Sequence, residues 1–210
     1  RGADDLQRTA EQIRAAGVRA AAVPVDLADA AAVERAAAQV AAELGGVDVL
    51  VNAAGTDVPG PVTQLDVAGW DRVLNVNLRA SFQLAKLVWN GMVERGGGTV
   101  VNVSSVAGRR GWAGATAYCA AKFGLTGLTQ ALAAEGRPHG IRACVLYPGA
   151  MDTSWGVWAP EDRGSATPTV PADALPPEQV AELVVWIAAA PPGLVLNEVT
   201  VTPLLEQGWP

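Results

Sequence analysis

The sequence predicts an α/β domain built on a doubly wound, mostly parallel sheet, and three observations lead there. Short runs that are apolar nearly throughout, 47-VDVLVNAAG-55, 99-TVVNVSSVAG-108 and 141-IRACVLYPG-149, alternate with longer segments of helical periodicity. A strand that is apolar at every position is buried on both faces, and helices covering a parallel sheet provide that burial. Each run also ends in small or polar residues, 52-NAAG-55, 104-SS-105 and 148-PG-149, where such sheets hold ligands beyond the carboxyl ends of their strands.

The elements follow in order. Residues 4–16 place Leu6, Ala10 and Ile13 at helical spacing, with Gly17 as a C-cap. The run 20–26, rich in Ala and Val and ending at Asp26, reads as a strand. An Ala-rich helix over 29–44 stops at Gly45–Gly46, and the strand at 47–51 follows. One long helix is expected over 66–95, closed by the glycines at 96–98, and another over 115–135. Residues 150–176 form a proline-rich, Trp-bearing irregular segment, followed by a helix at 177–190 and a last strand near 195–202. Neither an internal repeat nor a linker divides the chain, so one domain is expected.

Composition narrows the function classes. The 210 residues are 50% hydrophobic and 17% charged, the balance of a folded globular chain. A net charge of -6, with no basic cluster beyond pairs such as Arg109–Arg110, argues against a nucleic-acid surface. No apolar run approaches the ~18 residues of a membrane span. Cys119 and Cys144 are isolated thiols without disulfide or CxxC spacing, which fits a reducing, cytoplasmic setting. HExxH, a Cys/His cluster and an EF-hand loop are absent, so no metal is expected. His139, the single histidine, sits in a Pro-His-Gly turn, and GxSxG is missing, so an acyl-transfer triad is not supported.

The chemistry-bearing pair is Tyr118 and Lys122. Four residues apart on a helix, they emerge on one face. A free phenol has a pKa near ~10 and holds its proton too firmly for reversible acid–base work, and a neighbouring ammonium is expected to lower it. YxxxK alone is a weak motif. Here it is joined, in order, by LVNAAG at 50–55, NVNL at 75–78, VVNVSSVAG at 100–108 and PGAMDT at 148–153.

With those motifs in that order, nearly the whole chain resembles the single-domain short-chain dehydrogenases/reductases, whose sheet is Rossmann-like. The resemblance implies an oxidoreductase that interconverts a secondary alcohol and a ketone by direct hydride transfer from or to NAD(P)(H). It assigns Tyr118 as acid/base, Lys122 as its electrostatic partner and ribose ligand, Ser105 as the hydrogen-bond donor to the substrate oxygen, and Asn77 as the holder of a relay water. The choice of Ser105 over Ser104 follows the family spacing to Tyr118. Cofactor contacts carried over are Arg1, Asp26, Leu27, Asn52, Ala53, Gly55, Tyr118, Lys122, Pro148, Gly149, Met151 and Thr153. Ala53 stands where the family usually has a second Asn. Trp155 and Trp158 fall in the family's substrate lid, at about 150–176 here, where they face a bulky substrate or simply pack the lid. A small carbonyl or alcohol substrate and a homodimer or homotetramer, paired through the helices at 66–95 and 115–135, complete the implied picture.

Bland readings compete at several positions. Ser104–Ser105 could be a cap or turn, although no helix is expected directly after them. Asn75 and Asn77 could be incidental polar residues in a helix, where Asn is mildly unfavourable. Asn52 and Gly55 could be strand-end turn chemistry. One feature is discordant: the family's TGxxxGxG phosphate turn, between a first strand and first helix, has no counterpart here. By family alignment the first strand, that turn, its helix and the second strand are missing. In sheet order 3-2-1-4-5-6-7 this isolates the strand at 20–26 and leaves the strand at 47–51 with an open edge. An N-terminally incomplete sequence is the expectation. Arg1 would then follow the second strand, where a cation meets the 2′-phosphate of NADP, which gives NADP(H) a weak preference over NAD(H). A cofactor-free interaction or scaffold protein on a remnant fold is the alternative function.

Overall fold

β-Branched apolar runs make the sheet. In the computed structural model, which describes residues 2–153 and 173–206, four strands pair in parallel: β1 (Val49–Asn52), β2 (Gly98–Val103), β3 (Ile141–Pro148) and β4 (Glu198–Val201), in the order β1-β2-β3-β4. Asn52 pairs with Asn102 and Val103 with Leu146, so the carboxyl ends of the three leading strands lie side by side. Arg1, Trp155 and Trp158 lie outside the described residues, as does most of the expected lid.

Helices cover both faces, as a sheet of this kind requires. They are α1 (Ala3–Ala15), α2 (Ala30–Leu44), α3 (Val67–Leu74), α4 (Ala80–Glu94), α5 (Thr116–Gly136) and α6 (Pro177–Ala189). Successive β2 residues alternate between the faces. Val100 joins Met92, Ile141 and Ala143 beneath α4 and α5, with Val88, Trp89 and Leu132 packed around them. Val101 joins Cys144 and Ile187 beneath α6. Two helix starts are set by side chains, since Asp29 accepts a hydrogen bond from the Ala32 amide and Asp66 one from the Gly69 amide.

Three expectations are corrected. Residues 18–26 form no strand. A strand exists only through its neighbours' backbone groups, and no described strand lies beside this segment; Arg14 and Arg19 instead tie it down through the Ala20 and Leu44 carbonyls. The helix expected over 66–95 is two helices joined by a π turn at Asn75–Arg79, in which the Ala80 amide reaches back five residues to the Asn75 carbonyl. The last strand is shorter than 195–202, being limited to the residues that find partners on β3. The open edge of β1 is present: Val49 and Val51 are each 42% exposed.

Candidate active site

The site is assembled from four places in the chain that converge at the carboxyl ends of β1, β2 and β3. The π turn contributes Asn77, which is 1% exposed. Its Oδ1 accepts from the Thr56 amide at 2.8 Å and its Nδ2 donates to the Thr56 carbonyl at 2.7 Å. Both ends of the side chain thus clamp the loop that leaves β1. An Asn that is unfavourable within a helix is matched to a break in the α ladder, as π turns at functional sites often are.

Beyond β2 the two serines diverge. Ser104, buried, donates to the Lys122 carbonyl at 3.3 Å and so faces the backbone of α5. Ser105 turns the other way, and its hydroxyl hydrogen-bonds the Tyr118 phenol oxygen in the sense that favours a phenolate. Its Oγ also accepts from the Ala107 amide at 3.1 Å, capping a short 3-10 turn at Val106–Gly108. A helical turn does begin directly after the serines, contrary to expectation, and Ser105 is both a cap and a partner of Tyr118. The turn lies tightly on α5: a Cβ at Gly108 would come within 2.5 Å of Ser104 Oγ and 2.9 Å of the Lys122 carbonyl oxygen.

On α5, Tyr118 is 8% and Lys122 4% exposed. Lys122 Nζ lies 5.5 Å from the centroid of the Tyr118 ring and donates to the Val103 carbonyl at 2.9 Å. Burial pushes the Lys122 ammonium down to about 8. The phenol departs from expectation. Burial raises its pKa above the usual value, the Ser105 hydrogen bond acts against this, and the charges of Asp57 and Cys119 add to the rise. The ammonium sits over the ring face and donates to a carbonyl, and desolvation is the largest influence on the phenol.

The expected cofactor contacts fall into two groups. Leu27, Asn52 and Ala53 line one cavity of about 120 Å3, together with Val51, Ala54, Val76 and Ala80. The Asn52 side chain itself points into the sheet, where its Nδ2 donates to Asn102 Oδ1 at 2.8 Å. Asp26 uses Oδ1 to accept from the Ala28 amide at 2.9 Å. Gly55 precedes the clamped Thr56. The second group, Pro148, Gly149, Met151 and Thr153, continues from β3. There Met151 bridges to Leu175, and the Ala150 amide donates to Glu206 Oε2 at 3.0 Å. Another cavity of similar size, lined by Thr129, Arg137 and Asn197, opens towards the opposite end of α5 and touches none of these residues.

A dinucleotide fits this arrangement at its two nucleoside ends. Apolar Leu27 and the small, exposed Ala53 and Ala54 leave a wall open beside β1, and Lys122 offers a buried donor beside Tyr118. For the pyrophosphate, no glycine-rich strand-to-helix turn exists among the described residues. Sequence reasoning overlooked Asp57 and Glu206. The signal for Asp57 was a lone acid following a strand-end glycine loop, where a charge is costly. Glu206 carried none beyond its position near the tail.

The profile of the short chain dehydrogenases matches residues 1–163. The acetoacetyl-CoA reductase of Allochromatium vinosum is 36% identical over 152 residues, covering 71% of this chain and 62% of the relative. The D-threitol dehydrogenase of Mycolicibacterium smegmatis is 36% identical over 167 residues, 78% of this chain and 64% of the relative. The chain therefore spans a little under two thirds of the length of these two curated relatives. A crystal structure of a metagenomic short-chain oxidoreductase in complex with NADP superposes with a TM-score of 0.81 at 30% identity, covering 98% of this chain and 84% of that one. A parallel sheet with helices on both faces, the ordered motifs and these similarities lead to one conclusion: the chain belongs to the short-chain dehydrogenase/reductase family.

Proposed function

We propose that this chain carries the catalytic centre of an NAD(P)(H)-dependent oxidoreductase that interconverts a secondary alcohol and a ketone. The observation that carries the reading is the convergence at the end of β2 of half-buried Ser105 with buried Tyr118 and Lys122, where Ser105 hydrogen-bonds the Tyr118 phenol and the Lys122 ammonium lies over its ring. The bound nicotinamide would supply or accept the hydride. Everything else falls to the chain. Tyr118, whose burial keeps its proton on, is set to donate that proton to the substrate oxygen during reduction. Ser105 orients the same oxygen and favours the phenolate left behind. The Lys122 cation over the ring adds a positive charge close to the phenolate. Asn77 keeps the 53–60 loop in place through Thr56.

Similarity to an NADP-bound neighbour favours NADP(H) over NAD(H). We also infer a homo-oligomer, since Phe82 and Leu87 on α4 and Phe123 on α5 are 49%, 42% and 47% exposed. The open β1 edge favours a second reading, a binding protein without catalysis. Two measurements separate the readings. Trp-to-nicotinamide energy transfer reports saturable NADPH binding, and NADPH oxidation is followed with a panel of ketones. In the first reading Tyr118→Phe lowers kcat by ~10²–10⁴-fold while leaving NADPH affinity within a few-fold. Absence of NADPH binding by the folded full-length protein would establish the second.

A further inference from the structure

The loop that follows β1 is held at three points around one residue. Asn77 fixes both backbone groups of Thr56, at 2.8 and 2.7 Å. Val58 packs against Val73, Ala117 and Ala121, and the latter two flank Tyr118 on α5. The Gly60 amide donates to the Gly114 carbonyl at 2.9 Å, just before α5 begins. Asp57 lies between the first two anchors, and so next to the turn of α5 that carries Ala117, Tyr118 and Ala121; its charge acts on the phenol.

This carboxylate is poorly provided for. Its Oδ1 accepts from the Val58 amide at 2.8 Å, and among the described residues no cation pairs with it. Burial raises its pKa to about 6 against the opposing pull of the Val58 hydrogen bond. A half-buried carboxylate without a cation opposes folding. The structure holds it all the same, on a loop anchored on either side of it at Thr56 and Val58, with acceptor lone pairs left beyond the Val58 hydrogen bond. Such local conflicts concentrate at functional sites.

Resting on the reading of Tyr118 as acid/base, we propose that Asp57 is a specificity-determining residue that accepts a hydrogen bond from a substrate hydroxyl on the carbon beside the reacting one. The substrate class is then the α-hydroxy ketone and the corresponding vicinal diol. In the proposed pose the carbonyl oxygen meets Tyr118 and Ser105, and the neighbouring hydroxyl turns to Asp57. A ketone lacking that hydroxyl leaves the carboxylate desolvated and unpaired, which lowers its kcat/KM by ~10–100-fold. A 2-oxo acid sets two negative charges against each other and is rejected.

The test uses the full-length protein with NADPH and a matched pair, 3-hydroxy-2-butanone and 2-butanone, and reads the ratio of their kcat/KM values. The ratio is independent of how much of a variant is folded. We expect wild type to favour the hydroxy ketone by ~10-fold or more, Asp57→Ala to bring the ratio close to one, and Asp57→Asn, which keeps an acceptor oxygen, to fall between them. A wild-type ratio near one, or a ratio unchanged in Asp57→Ala, overturns the assignment and leaves the catalytic reading standing. Faster reduction of 3-amino-2-butanone than of 3-hydroxy-2-butanone also overturns it, because a cation would then be the preferred partner. Failure of wild type to reduce any ketone overturns the catalytic reading and this inference with it.

Discussion

Lys122 shows how a residue can be unfavourable for the fold and necessary for the proposed chemistry. Its ammonium is almost fully buried, has the Val103 carbonyl as a hydrogen-bond partner, and is pushed down to about 8. Its pKa is lower folded than unfolded, so between about pH 8 and the ordinary lysine value the unfolded chain binds more protons. This group's contribution to stability therefore rises with pH across that window. Cys144, raised to about 11 by burial, and Tyr118, also raised, contribute in the opposite direction at the alkaline end. The difference between wild type and Lys122→Met isolates the lysine. We expect Lys122→Met to abolish ketone reduction and to stabilise the fold by ~1–3 kcal/mol at pH 7. Urea titrations at pH 7 and 10 should show that gain shrinking as pH rises. Equal gains at both pH values would contradict a buried cation. At this scale the sequence was informative about which residues meet and less so about their electrostatics. YxxxK spacing places Tyr118 and Lys122 on one face, but spacing carries no dielectric, and burial reversed the expected direction of the phenol's shift.

Elements were legible where a pattern repeats and obscure where a single hydrogen bond decides. Apolar runs at 99–108 and 141–149 revealed β2 and β3 because both faces of those strands are covered. The run at 20–26 is also largely apolar and forms no strand, because pairing is a property of neighbours that no run of residues contains. The π turn at Asn75–Arg79 likewise leaves the apolar periodicity of 66–95 almost undisturbed; the polar Asn75 and Asn77 were its only trace. This break aims Asn77 at Thr56. Asn77→Ala removes both hydrogen bonds and leaves half-buried backbone groups of Thr56 unpaired, at a cost of about 1–3 kcal/mol. Hydrogen exchange gives the sharper readout: the Thr56 amide should lose its protection while amides in β2 and β3 keep theirs. Uniform loss across the sheet would mean that Asn77 supports the whole core rather than the loop.

For the molecule as a whole, the question is how its apolar surface is covered. Two regions stand out, the β1 edge with Val49 and Val51, and the outer faces of α4 and α5 with Phe82, Leu87 and Phe123. They predict different kinds of association. An open strand edge pairs through the backbone without a fixed stoichiometry, whereas helix faces join through side chains in a closed, symmetric assembly. If α4 and α5 form the interface, Phe82→Asp combined with Phe123→Asp places two desolvated carboxylates in each half of it. Sedimentation velocity should then show a discrete shift from oligomer to monomer, with the circular dichroism of the fold retained. Val51→Lys, on the β1 edge, should leave that discrete species in place and reduce only irregular, concentration-dependent aggregation. The reverse pattern, an oligomer insensitive to the α4 and α5 changes but dissolved by Val51→Lys, would move the interface to the sheet edge. It would also favour the binding-protein reading, because an edge occupied by a second copy closes the groove beside Ala53 in which the cofactor is proposed to lie.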